Sequence, residues 1–373
     1  MTPVQQLRDF GQSVWLDYLD HALIAEGELD SMIDRDGITG ATSNPTIFQR
    51  ALASSRDYDA LIGNAAPLFS DAAVFEEIEM REVTMACDLF RRVYDATEGA
   101  DGFVSIEVSP LLAHDAAASI EEARRLWTFI SRPNVMIKLP GTREGLTAIE
   151  QCLFEGINVN VTLLFSVERY RQVIDAYLRA LERRVVDGKA IDRVASVASF
   201  FVSRVDTKVD RAIDAISEGH GWKDVPRGRA AIANAELAYR EYTQSLATER
   251  WRRLAARGAR PQRVLWASTS TKNPAYPPLY YAEALVGPGT IDTMTRETLR
   301  TYLSQGHPRI HLGKSIEEAR VQSNQLAALG VDFAQVTREL EEEGIEAFSK
   351  SYAQALSTVA KKRQITSSVT TPD

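Results

Sequence analysis

Cysteine is nearly absent from this chain. Two residues in 373, Cys87 and Cys152, rule out a disulfide scaffold and read as free thiols of a reducing compartment, so a cytoplasmic protein is expected. The five histidines, His21, His114, His220, His307 and His311, form no HExxH, and no CxxC occurs, so no metal site is expected. No apolar run reaches about 18 residues, the length a membrane span needs. The opening MTPVQQLRDFGQSVW has no basic n-region and no apolar h-region, so it is not read as a signal peptide. On that basis Asn160-Val161-Thr162 is a chance glycosylation sequon. Positive charge is in deficit, with 43 Lys and Arg against 51 Asp and Glu and a net charge of −8. That argues against nucleic acid as a partner, although a local basic pocket for a phosphate remains open. GxGxxG and GxxxxGK[ST] are both missing, which lowers the nucleotide-binding alternatives. Gly and Pro, 21 and 14, are too few for a collagenous or low-complexity chain.

What is present is the balance of an ordinary globule, 45% hydrophobic and 25% charged, able to bury a core unaided. Short apolar runs alternate with helical patterns along the whole length. The runs expected as strands are Ser13–Leu16, Gly37–Ala41, Gly102–Val108, Asn134–Leu139, Ile157–Leu163, Val194–Val202, Arg263–Ala267 and Thr290–Met294. Several are apolar at consecutive positions, the pattern of strands covered on both faces. Helical stretches intervene. In Phe75–Tyr94 an apolar stripe runs through Ile78, Val83, Ala86, Phe90 and Val93, Ser119–Ile130 opens on a Ser119/Glu122 capping-box pattern, and Gly145–Phe154 and Glu168–Val186 follow the next two strands. Eight such units predict an α/β fold, a single (β/α)8 TIM barrel over 1–363, in preference to an open doubly wound sheet. Two segments exceed a minimal barrel. A helical insert at about 210–261 and two helices over 315–363 are expected to pack outside it, and 364–373 reads as a frayed polar tail.

Lysine is scarce, nine among the 43 basic residues, and the first in the chain, Lys138, sits inside an apolar strand. Burial there disfavours its charged form, and a neutral amine can attack a carbonyl. A lysine snorkelling from a strand end is an equally open reading of the spacing alone. Other strands end in polar groups too: Asp17, Asn44, Glu107, Asn160 and Thr162. In a barrel the carboxyl ends of the strands converge on one mouth, so five successive strands can furnish one site.

Three blocks then resemble the transaldolase family. Asp36-Gly37-Ile38-Thr39-Gly40-Ala41-Thr42-Ser43-Asn44-Pro45-Thr46-Ile47-Phe48 is similar to its first signature. Val135-Met136-Ile137-Lys138-Leu139-Pro140 with Gly145-Leu146 is similar to the second, and Gly156–Ser166 to a further block. The resemblance runs in order from about Asp17 to Lys272. It implies that Lys138 forms an imine with a ketose phosphate and that Asp17 moves the proton of the C4 hydroxyl. Glu107 and Thr162 would hold the water of imine formation, with Glu107 reaching Lys138 through that water. Asn44, Asn160 and Ser199 would bind the dihydroxyacetone hydroxyls, and Arg204 the phosphate. Where smaller relatives carry Ala-Ser-Phe-Arg, this chain has Ala267-Ser268-Thr269-Ser270-Thr271-Lys272, so Lys272 is expected as the second cation. The implied activity is transfer of dihydroxyacetone from sedoheptulose 7-phosphate or fructose 6-phosphate to glyceraldehyde 3-phosphate or erythrose 4-phosphate. It belongs to the pentose phosphate pathway and needs no cofactor. Sugar phosphates are the expected partners, with no nucleic acid or membrane, and the chain is expected as a monomer or homodimer. The alternatives are a fructose 6-phosphate aldolase-like enzyme that releases free dihydroxyacetone, and an inactive barrel used for binding.

Overall fold

The computed structural model describes residues 1–65, 68–220 and 227–369. Eight strands, β1 (Gln12–Asp17), β2 (Gly40–Thr42), β3 (Val104–Glu107), β4 (Val135–Pro140), β5 (Val159–Leu164), β6 (Ser196–Phe201), β7 (Arg263–Ala267) and β8 (Thr290–Met294), close into a barrel. Every neighbouring pair is parallel, including β8 with β1. The longer helices are α1 (Pro3–Asp9), α2 (Pro45–Ser54), α3 (Asp71–Ala96), α4 (Ala116–Ile130), α5 (Gly145–Glu155), α6 (Val167–Val186), α7 (Ser203–His220), α8 (Ala230–Leu246), α9 (Glu249–Ala255), α10 (Arg296–Gln305), α11 (Ile316–Ala328) and α12 (Phe333–Val369). The consecutive apolar positions are explained by this architecture, because one strand face fills the barrel and the other meets the helical layer.

The amino end of the barrel holds a polar network around one carboxylate. Asp101 accepts from Ser13 Oγ and from Trp15 Nε1 (2.8 Å). Arg263 donates to Ser13 Oγ and to the Thr290 carbonyl, both at 2.7 Å, and its Nη1 lies 3.5 Å from Asp101 Oδ2. Trp15 fits because residue 40 is glycine: a Cβ there would stand 2.7 Å from the indole and from the Phe103 carbonyl.

Three expectations need correction. Ser119 does not start a helix. It lies inside α4, whose cap is Asp115, accepting from Ala118 N at 3.0 Å, and Glu122 instead accepts from Ser109 N. A serine with a glutamate three residues on marks a start only where no earlier cap competes. The stretch 364–373 is not all tail, since α12 continues to Val369, and the rest of it lies outside the described residues. The two C-terminal helices also part company. α11 packs on α8 outside the barrel, whereas α12 packs on α2 and crosses the carboxyl-end mouth. The insert expected at about 210–261 is helical as α7, α8 and α9, with α7 starting at Ser203, and residues 221–226 lie outside the described residues. No helix among the described residues is long and apolar enough to cross a membrane.

Candidate active site

A cavity of about 730 Å³ opens at the carboxyl ends of the strands, walled by Asp17, Asn44, Lys138, Thr162, Ser199, Arg204 and Lys272 among others. Strand register creates this convergence. Glu107 on β3 stands opposite Lys138 on β4, and Asp17 at the end of β1 stands opposite Thr42 on β2. Residues on the inner face of neighbouring strands therefore share one interior volume.

Lys138 is 5% exposed, and its Nζ lies 3.1 Å from Glu107 Oε2. It also donates to the Ser43 carbonyl at 3.3 Å. Glu107 was expected to reach the amine through a water. In the structure the carboxylate touches it directly, because register sets the two side chains side by side. Burial pushes the Glu107 carboxyl up from its ordinary range, and Lys138 opposes that shift. Across the site, burial also pushes Asp17 up. Lys138, the Thr42 hydrogen bond, Arg204 and Lys272 pull it back, in falling order. That hydrogen bond, from Thr42 Oγ1 to Asp17 Oδ1, is 2.8 Å, and Thr42 also meets Thr293 Oγ1 at 2.8 Å. Two carboxyl groups biased toward carrying a proton thus flank one buried amine, the arrangement acid–base chemistry at a carbonyl requires.

The polar residues divide by what they are free to do. Thr162 Oγ1 is buried without a hydrogen-bond partner, aimed at the cavity. Asn44 caps α2 by accepting from Ile47 N at 3.1 Å, which leaves its NH₂ for a ligand. Asn160 is fully buried beside the site. Its amide bridges Ser105 Oγ (3.0 Å) and Ser199 Oγ (2.7 Å), so in this structure it braces β3, β5 and β6 and orients Ser199. Asn160 and Thr162 are both fully buried, which removes the sequon from the surface.

Arg204, at the start of α7, lies over the Phe201 ring at 5.5 Å. Burial works against its charge, while Asp17 and Glu343 work for it. No hydrogen bond or ion pair to another described residue holds its guanidinium, and the same is true of the exposed Lys272 ammonium. A desolvated cation left unpaired on a cavity wall is a place for an anion. The loop that carries Lys272 is pinned from below. Thr269 Oγ1 donates to the fully buried Asp292 at 2.8 Å, and Ser270 Oγ meets Thr298 Oγ1 at 2.7 Å. Arg50 and Arg296 line the outer wall, but Arg296 is already bound to Glu28. Among the described residues no three His, Cys, Asp or Glu gather as metal ligands.

Sequence reasoning passed over Thr42, Ser270 and Phe348. Thr42 lies inside the quoted block, and a hydroxyl one step from a strand end was a usable signal. Phe348 falls in the two helices over 315–363 expected only to pack outside the barrel, and nothing in their sequence says that the surface one of them covers is the mouth.

A family model described as Transaldolase/Fructose-6-phosphate aldolase matches residues 14–359. The chain is 46% identical over 365 residues to a transaldolase of Acidothermus cellulolyticus, covering 96% of each. It is 45% identical to a transaldolase of Saccharopolyspora erythraea, covering 96% of this chain and 97% of the relative. With a protein named transaldolase 2 of Nostoc sp., identity is 42% over 376 residues, 98% of each.

Proposed function

Because the chain belongs to the transaldolase/fructose-6-phosphate aldolase family, we propose that it moves a dihydroxyacetone unit between sugar phosphates through an imine on Lys138. Its activity is that of a transaldolase. The observation that carries the assignment of roles is the buried contact of Lys138 Nζ with Glu107 Oε2, facing Asp17 across one cavity.

Glu107 takes a proton from the amine, and Lys138 adds to C2 of the donor, sedoheptulose 7-phosphate or fructose 6-phosphate. The carbinolamine loses water as Glu107 returns the proton, with Thr162 Oγ1 holding that water. Asp17 then takes the proton of the C4 hydroxyl. The C3–C4 bond breaks, its electron pair passes into the imine to give an enamine, and an aldose phosphate leaves. The enamine carbon attacks the aldehyde of glyceraldehyde 3-phosphate or erythrose 4-phosphate, Asp17 protonates the new alkoxide, and water frees Lys138. Asn44 and Ser199 hold the hydroxyls of the retained unit, and Asn160 acts by orienting Ser199. Arg204 clamps the phosphate as a planar fork and Lys272 adds a point charge. Holding the intermediate in place substitutes for the entropy a free bimolecular encounter would cost. The lysine imine is the electron sink, so no cofactor enters the scheme. The acidic balance and two buried thiols fit work in the cytoplasm, as a monomer or homodimer, on small molecules and not on nucleic acid.

Borohydride reduction in the presence of fructose 6-phosphate, followed by peptide mapping, tests the assignment. A single mass addition at Lys138, absent in Lys138→Arg, is expected. Label on another of the nine lysines overturns it.

A further inference from the structure

The C-terminal helix does more than pack. α12 crosses the barrel mouth and turns Phe348 into the cavity, where its ring centre lies 5.8 Å from Lys138 Nζ. The ring is 5% exposed. Lys138 already touches Glu107 and the Ser43 carbonyl, and the phenyl face adds an apolar surface beside the same nitrogen.

The helix is strapped to several of the segments that follow the strands at the mouth. Lys208, from the β6 side, meets Glu339 at 2.7 Å and Glu343 at 2.5 Å. Arg169, after β5, lies 3.6 Å from Glu341, and His114, after β3, lies 3.7 Å from Glu342. Thr46, after β2, shares a 2.8 Å hydrogen bond with Ser351. The seat itself is close. A Cβ at Gly344 would stand 2.8 Å from Leu163 Cδ2. Leu163 has a left-handed φ of 59° at the irregularity in β5 and follows Thr162 in the chain. A leucine in that region is strained and persists where its surroundings hold it, and here the helix supplies part of the hold.

We propose that Phe348 is a specificity-determining residue that keeps water from the enamine on Lys138, and so sets how much donor turnover ends in transfer and how much in free dihydroxyacetone. This rests on the reading of Lys138 as the imine-forming residue. The competing step is balanced with water alone. The enamine carbon takes a proton to give the dihydroxyacetone imine, water adds at C2, and collapse of the carbinolamine frees the ketone and the amine. Each of those steps needs water or its protons beside Lys138. Truncating the ring opens space for waters at ~30 Å³ each where the apolar face now stands.

The test compares wild type, Phe348→Leu and Phe348→Ala with fructose 6-phosphate as donor. Transfer to erythrose 4-phosphate and release of free dihydroxyacetone are measured in parallel, with borohydride trapping as a control. The ratio of release to transfer is expected to rise by about tenfold in the alanine variant, equivalent to about 1.4 kcal/mol between competing barriers, and less in the leucine variant. If both rates fall together and the ratio stays at the wild-type value, the ring has only a packing role and the proposal is wrong. Should the alanine variant fail to fold, the ratio in Phe348→Leu decides in the same way. If wild type shows no trapped imine at Lys138, the functional reading itself has failed, a result separate from an unchanged ratio.

Discussion

Replacing Arg204 with glutamine removes a half-buried cation of the cavity wall while keeping a polar side chain of similar length. A charge-assisted hydrogen bond is worth about 1.5–3 kcal/mol, so a two-pronged contact with phosphate is worth roughly 3–5 kcal/mol. At 1.4 kcal/mol per decade, KM for fructose 6-phosphate should rise by roughly two to three and a half decades. Lys272 is exposed, and its contribution should be about 1 kcal/mol or less, under tenfold. Stability gives the internal control. A guanidinium that burial disfavours and no described carboxylate binds should not be missed by the fold. Its stacking on Phe201 is worth roughly 0.5–2 kcal/mol and works the other way. The unfolding midpoint of Arg204→Gln should therefore stay near wild type, whereas breaking a buried ion pair typically costs ~3–5 kcal/mol. The assay is a coupled measurement of transfer, run with phosphorylated substrates and again with fructose and glyceraldehyde, which lack the phosphate. Rates with the second pair should barely change. A loss of equal size for both pairs, or a large fall in the midpoint, would show that Arg204 serves the fold and not the phosphate.

Asp17→Asn should slow carbon–carbon cleavage while leaving the imine trappable, whereas Glu107→Gln should slow imine appearance itself, each by ~10²–10⁴-fold; single-turnover borohydride trapping distinguishes them, and the opposite pattern swaps the roles. Burial pushes Asp292 up to about 7. The unfolded chain gives up that proton near pH 4 while the folded chain keeps it, so this group lowers stability progressively from pH 4 to 7, with no further loss above. Asp292→Asn, which keeps the acceptor for Thr269, should gain stability relative to wild type across that window, as read from denaturation midpoints at several pH values. A difference between the two proteins that does not vary with pH would refute the assignment.

Much of the architecture was legible because its cause is local. Strands buried on both faces carry runs of consecutive apolar residues, so most of the segments stood out, and Arg263–Ala267 and Thr290–Met294 match to the residue. Asp17, Glu107, Lys138 and Thr162 stood out because polar side chains at the ends of apolar strands are expensive unless they face something. What was hidden depended on distant parts of the chain. Asn160 looks like the other polar strand residues, yet its partners Ser105 and Ser199 come from neighbouring strands and occupy both ends of its amide. The path of α12 over the mouth is set by contacts with residues such as Thr46 and Lys208, more than a hundred positions away, and an apolar stripe carries no address.

The cavity that Lys138 lines opens at the carboxyl ends of the strands, while Trp15, Asp101 and Arg263 are joined across the amino end, so Lys138 is approached from the carboxyl end, past Arg204 and under α12. On the proposed roles of Lys138, Arg204 and Lys272, the departing aldose phosphate and the incoming one use the same passage and the same cations. The first must clear the cavity before the second can enter, while the dihydroxyacetone fragment stays bonded to the lysine. Steady-state rates should then follow a ping-pong pattern, with parallel double-reciprocal lines. An acceptor at high concentration should compete with the donor for the unloaded enzyme, so too much of one substrate slows the use of the other.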